Sequence, residues 1–296
     1  MSDDLNKVVE LSGDERDSVV HKKAACPFIG SAVAQGQLPV RNSARDPLAS
    51  IEDVRRLGNT GGGDLGDFLV LFARGNHALM RGDSGRLDKH LPGDLFSLDF
   101  PGSQGSHTGH SFILQDDPEV LDSGRLSEDN FARLTRRAKD GLITRSEVGR
   151  FIAENLIRDP KSKVTGINTT KLLIRDVGDL LETLGSVLLG KITGSHDDAA
   201  LREVQEKFTR LAGENNLVGS AGEFGLLFAF LVNKPDAREV KNEPALAVED
   251  LRAMFVDKRL PAGWETWKKS WKDWVENTAG LVKSAAKEYH ALKKNQ

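Results

Sequence analysis

Chemistry in this chain starts with one sulfur. Cys26 is the sole cysteine among 296 residues, so it has no internal disulfide partner. Its roles reduce to inert packing, a nucleophilic or redox-active thiolate, or a single metal ligand. Pro27 behind it fixes the local backbone, removes one N–H donor and pushes Cys26 towards an extended conformation. That geometry suits a side chain projecting from a loop into a cavity, although a free Cys taken alone is most often buried packing. Seven histidines offer a rival metal chemistry. His107 and His110 are three apart, and with His77, His90 or Asp116 they have the imidazole and carboxylate donors that suit zinc or non-haem iron. Glu223 precedes an apolar stretch, where a carboxylate complements the positive end of a helix. Asn59-Thr60-Gly61-Gly62-Gly63-Asp64 has the glycines of a phosphate loop but lacks the strand before it and the Lys-Ser/Thr after it, so it reads as a flexible break.

The setting of the sulfur carries a further signal. Cys26-Pro27-Phe28-Ile29-Gly30-Ser31-Ala32-Val33-Ala34-Gln35-Gly36-Gln37-Leu38-Pro39 resembles the proximal motif of the chloroperoxidase and unspecific peroxygenase family, the family-2 haem-thiolate peroxidases. Cys26, Pro27, Gly36, Leu38 and Pro39 keep its register without a gap, while Gly30 replaces an Asn and Ala34-Gln35 replace Asn-His. Near the other end, Gly222-Glu223-Phe224 and then Lys258-Arg259-Leu260-Pro261-Ala262-Gly263-Trp264 resemble the family's distal Gly-Glu and its closing Glu-Arg-Leu-Pro, Gly-Trp segment, with Lys258 where Glu is frequent. Two ordered matches at opposite ends are more specific than either alone. The resemblance implies haem b with Cys26 as the axial ligand of the iron, donating electron density that favours O–O cleavage. It also implies hydrogen peroxide as oxidant and Glu223 as the acid–base that moves its proton.

The departures are equally specific. Asn216 lies seven residues before Glu223, where many members place an Arg that orients the acid–base; Asn can hydrogen-bond but carries no charge. His110-Ser111-Phe112-Ile113-Leu114-Gln115-Asp116 resembles a family segment ending Glu-His-Asp, in which the Glu helps to hold a divalent cation, Mg or Mn, beside a haem propionate. Leu114 removes that ligand. A hard cation needs several oxygens, so the site is expected to be lost unless Asp116, Asp117, Glu119 or Asp122 rebuild it. Three functions follow from the resemblance and its gaps. The first is a peroxide-dependent enzyme acting on small apolar or phenolic molecules, or on halide. The second is a haem sensor or carrier with weak peroxide chemistry. The third is a haem-free helical interaction protein in which Cys26 only packs.

Composition narrows the class. Lys+Arg 41 against Asp+Glu 44 leaves a net charge of −3, which gives no electrostatic footprint for nucleic acid. The residues after Met1 lack the basic-then-apolar pattern of a signal peptide, and with no disulfide pair an intracellular, cytoplasmic location is expected. The longest apolar run, 224–232, is far short of the ~20 residues that span a bilayer.

The elements that must position these residues read as a mostly α, single-domain fold with long loops and little or no sheet. A polar, poorly ordered tail is expected over 1–20, a haem-thiolate domain over 21–268, and a basic amphipathic helix over 269–296. Helices are expected over 46–57, 65–80, 127–137, 144–157, 177–189 and 198–211, with a long loop over 81–109 and a turn at Asp140-Gly141. Trp264, Trp267, Trp271 and Trp274, spaced by three and four, would form one stripe of a helix interleaved with lysines. Such a stripe packs back on the domain or, alternatively, docks on a membrane surface or a partner.

Overall fold

The computed structural model describes residues 5–24, 26–66, 69, 79–81, 87–90, 95–98, 126–159, 162, 164 and 215–295. Structure begins earlier than a polar tail suggests. α1 (Gly13–Ser18) opens with a closed capping box, in which Ser12 Oγ accepts the Glu15 N–H and the Glu15 carboxylate accepts the Ser12 N–H at 3.0 Å. A π-helical turn, Val19–Lys23, then buries Val19 and Val20 before α2 (Pro27–Ala34) starts at the proline of the Cys-Pro pair.

The fold is mixed α and β, which corrects the expectation of helices with little or no sheet. β1 (Arg41–Asn42), β2 (Pro47–Ser50) and β5 (Leu95–Ser97) form one antiparallel sheet in the order β1-β2-β5, with Leu48 opposite Ser97 and Ala49 opposite Phe96. β3 (Leu79–Arg81) and β4 (Leu87–His90) pair with each other. The helix expected over 46–57 therefore shortens to α3 (Ile51–Gly58): Pro47 lacks a donor, and the residues after it pair with β5 instead. The helix expected over 65–80 has given way to strand by Leu79.

α4 (Glu128–Thr135) and α5 (Arg145–Arg158) are joined by β6 (Leu142–Thr144) rather than by a plain turn. Asp140 and Gly141 both have positive φ and bend the chain into that strand. Thr144 Oγ1 caps α5 by accepting the Glu147 N–H at 3.2 Å. α6 (Asn216–Leu231) is apolar on nearly all sides and runs through the core. β7 (Arg238–Val240) and β8 (Glu243–Ala247) form a hairpin that extends β6 in the order β6-β8-β7. α7 (Val248–Phe255) and α8 (Trp271–Lys294) complete the described chain, and α8 packs along both α5 and α6. The helices expected over 177–189 and 198–211 lie outside the described residues.

The tryptophans do not share one helix. Trp264 and Trp267 sit in turns that follow Gly263, whose φ is +72°, and Ser270 caps a helix that begins only at Trp271. Trp264, Trp267 and Trp274 are buried and Trp271 is half-buried, so these four rings do not form an exposed stripe. Among the described residues no helix is long and apolar enough to cross a membrane.

Candidate functional site

Each end of α2 has a local reason to be where it is. Pro27 occupies the first helical position, where a missing N–H costs nothing, and Cys26 is the N-cap residue with extended φ −68° and ψ 121°. The helix stops on a Schellman motif: Gly36 N–H donates to Val33 O at 3.0 Å and Gln37 N–H to Ala32 O at 2.8 Å, with Gly36 at φ +70°. Gly30, which stands in place of a family Asn, lets α2 sit against the π-helical turn; a Cβ there would lie 3.3 Å from the Ala24 carbonyl. The motif residues therefore build a short rigid helix with a thiol at its head.

Three elements converge on that thiol. Cys26 is half-buried against the core, and Glu223 and Lys258 both lie within its electrostatic reach. Burial pushes the Cys26 thiol above its ordinary range. The backbone N–H groups of Ile29 and Phe28 oppose this without closing a capping hydrogen bond, the Glu223 carboxylate adds to the rise, and the Lys258 ammonium counters it. Glu223 is half-buried two turns inside α6, which removes the reading of a carboxylate at a helix start. Asn216 is the first residue of α6, on the same face as Glu223 but about 10 Å away along the axis.

Packing fixes these elements to one another. Phe28, two residues beyond the thiol, meets Phe230 of α6 at 5.2 Å and Trp264 at 5.8 Å between ring centroids. Ser31 Oγ donates to Met254 O at 3.3 Å, and Leu260 N–H donates to Gln35 Oε1 at 3.0 Å, which holds the segment carrying Lys258 against α2. Trp274 Nε1–H donates to Gly222 O at 2.9 Å, immediately before Glu223. Trp267 Nε1–H donates to Phe230 O at 2.7 Å near the far end of the same helix.

The sequence marks Lys258 only as a departure from a motif, and Lys269 only as one of the lysines interleaved with the tryptophans and expected to stay wet. Both are buried, at 3% and 0% exposure, and burial lowers each ammonium from 10.5 to about 8. A lysine in a polar stretch carries no sequence mark of burial, because most lysines there stay wet. Lys269 is fully satisfied. Its Nζ donates to Trp267 O at 2.9 Å, Thr60 Oγ1 at 3.0 Å and Thr60 O at 3.3 Å, and lies over the Trp264, Trp267 and Phe230 rings at 5.2, 5.5 and 5.7 Å. The glycine-rich stretch is thus a docked loop, not a flexible break. Asp64 and Leu65 N–H donate to Lys269 O, and a Cβ on Gly63 would lie 2.1 Å from that same oxygen.

The donor set fits haem. A buried thiol ionises when a metal cation takes its charge, and one thiolate is what an axial position needs. Among the described residues no three His, Cys, Asp or Glu side chains gather as an all-protein metal cage. His77, His107, His110, Asp116, Asp117, Glu119 and Asp122 lie outside the described residues, as does the side chain of His90, so both the divalent-cation site and the histidine site fall there. A surface cleft of about 440 Å³ beside Lys234, Asp250 and Trp267 includes neither Cys26 nor Glu223, and its Asp250 is already paired with Lys234 at 2.9 Å. No family model, no curated protein and no solved structure matches this chain.

Proposed function

We propose that the chain is a haem-thiolate peroxidase or peroxygenase that uses hydrogen peroxide to oxidise or oxygenate small apolar or phenolic molecules, or halide. The observation that carries this reading is that Cys26 and Glu223, one from each of the two separated motifs, lie within electrostatic reach of each other. Cys26 Sγ would hold the iron of haem b. When bound, that group supplies cleavage of the peroxide O–O bond and oxidising power towards substrate. Cys26 contributes electron density through its thiolate, and the Ile29 and Phe28 N–H groups behind the sulfur moderate that donation, as outer partners of a metal ligand do. Glu223 would take the proton from one peroxide oxygen and return it to the other, the proton shift that accompanies the O–O cleavage supplied by the bound group.

The purified full chain loaded with haem should show the red-shifted Soret band of a thiolate-ligated, reduced carbon monoxide adduct. Cys26→Ala, expressed with adequate haem, should lose that shift; a variant that keeps the wild-type spectrum overturns the assignment. A haem sensor or carrier is the second reading, favoured by Asn216, a neutral amide where the family's acid–base has a charged partner. Thiolate spectra without peroxide turnover would establish that second reading instead.

A further inference from the structure

The two buried lysines are satisfied very differently. Lys269 spends its three N–H groups on three oxygens, whereas Lys258 Nζ, equally removed from water, meets no hydrogen-bond acceptor among the described residues. Nor is its backbone relaxed. Lys258 has φ +49°, a left-handed conformation that is strained for a residue carrying a side chain. The residues around it are nonetheless held firmly: Arg259 N–H donates to Ala253 O at 2.7 Å, and Leu260 N–H is bound by Gln35 of the Cys26 helix. A strained backbone thus carries into the interior, within electrostatic reach of the thiol, an ammonium that no acceptor among the described residues hydrogen-bonds, and a buried charge of this kind calls for an anion.

We propose that Lys258 binds a carboxylate of the porphyrin, one propionate of the haem whose iron Cys26 would hold. This rests on the haem reading above and deepens it. Haem b brings two carboxylates, and the segment expected to hold a propionate through a divalent cation has Leu114 where a ligand is needed. An ammonium fixed beside Cys26 performs the same neutralisation with a protein charge. Lysine at this position is then a ligand for the cofactor's rim, while Cys26 is the ligand for its centre.

The test compares hemin with hemin dimethyl ester, which is alike in iron and ring but lacks the carboxylate charge, by titrating each into the haem-free full chain and following the Soret band. Wild type should bind hemin on the order of 10- to 100-fold more tightly than the ester, the range of a buried charge-assisted contact. Lys258→Met should bind the two about equally, and Lys258→Arg should retain a preference for hemin. Lys258→Asn removes the charge with a residue that tolerates left-handed backbone, so a folding defect in Lys258→Met does not block the measurement. If Lys258→Asn prefers hemin as strongly as wild type does, Lys258 is not the carboxylate partner. If wild type binds neither porphyrin, the haem reading itself fails, and that outcome is distinct from the first.

Discussion

Glu223 stands where its neighbours leave little freedom. Gly222 and Phe224 on either side are buried, the Gly222 carbonyl is held by Trp274, and the carboxylate lies within electrostatic reach of Cys26. A positioned acid–base contributes about 10² to 10⁴ in rate. On the peroxidase proposal, Glu223→Gln, which preserves shape and removes the proton-carrying role, should leave the haem spectrum intact and slow peroxide consumption by a factor in that range under stopped-flow mixing. Equal rates for the two proteins would take Glu223 out of the mechanism. Cys26 and Glu223 stand out in the sequence as candidates because each sits in a motif with order and spacing. Lys258 does not, since its interest comes from burial, from a left-handed backbone and from the absence of an acceptor among the described residues, and none of these is written in local composition. Gly36 shows the converse: the Schellman motif explains it fully without any appeal to function.

Helix α6, which carries Glu223, is approached closely by α8. A Cβ on Gly225 would lie 2.1 Å from Thr278 Oγ1, and Gly149 of α5 faces Ser284 in the same manner. Gly225→Ala should push α8 away and lower stability by about 1–3 kcal/mol, as overpacking does, read as a lower urea midpoint. Thr278→Ala should restore part of that loss in the double variant, because Thr278 Oγ1 is buried without a hydrogen-bond partner among the described residues. Additive losses would show that the strain lies elsewhere. The long helices were visible in advance, since Thr144 and Glu147 announce α5 and the apolar run announces α6. The strands were not. β7 is charged and largely exposed, β8 is a Glu-Pro-Ala-Leu-Ala stretch with only Leu246 buried, and the two are joined through Lys241 and Asn242, both at positive φ, so neither apolar alternation nor an Asn-Gly turn marks them. The run from Trp264 to Trp274 kept helical spacing yet formed turns in its first half, because Gly263 and the docking of Trp267 on Phe230 override periodicity.

Across the molecule, the Lys269 cage ties the glycine loop to the C-terminal segment. Its ammonium titrates near pH 8 in the folded chain and near 10.5 when unfolded, because burial outweighs the pull of Glu265. Between those values the unfolded state holds more protons at this position, so stability should rise with pH from about 8 towards 10.5, and below pH 8 the full cost of burying the charge is present. Denaturant midpoints across that window should climb less steeply in Lys269→Met than in wild type, and identical slopes would refute a titrating Lys269. The same cage belongs to a larger closure: Thr60 with Lys269, Gln35 with Leu260, Ser31 with Met254 and Phe28 with Trp264 all join the beginning of the chain to its last part. During synthesis the Cys26 helix must therefore wait for partners made some two hundred residues later, roughly 10 to 40 s at ribosomal speed. The Phe28 ring, which closes on Phe230 and Trp264, has neither of those partners throughout that interval, so the packing of the N-terminal helix is set by the last part of the chain to be made.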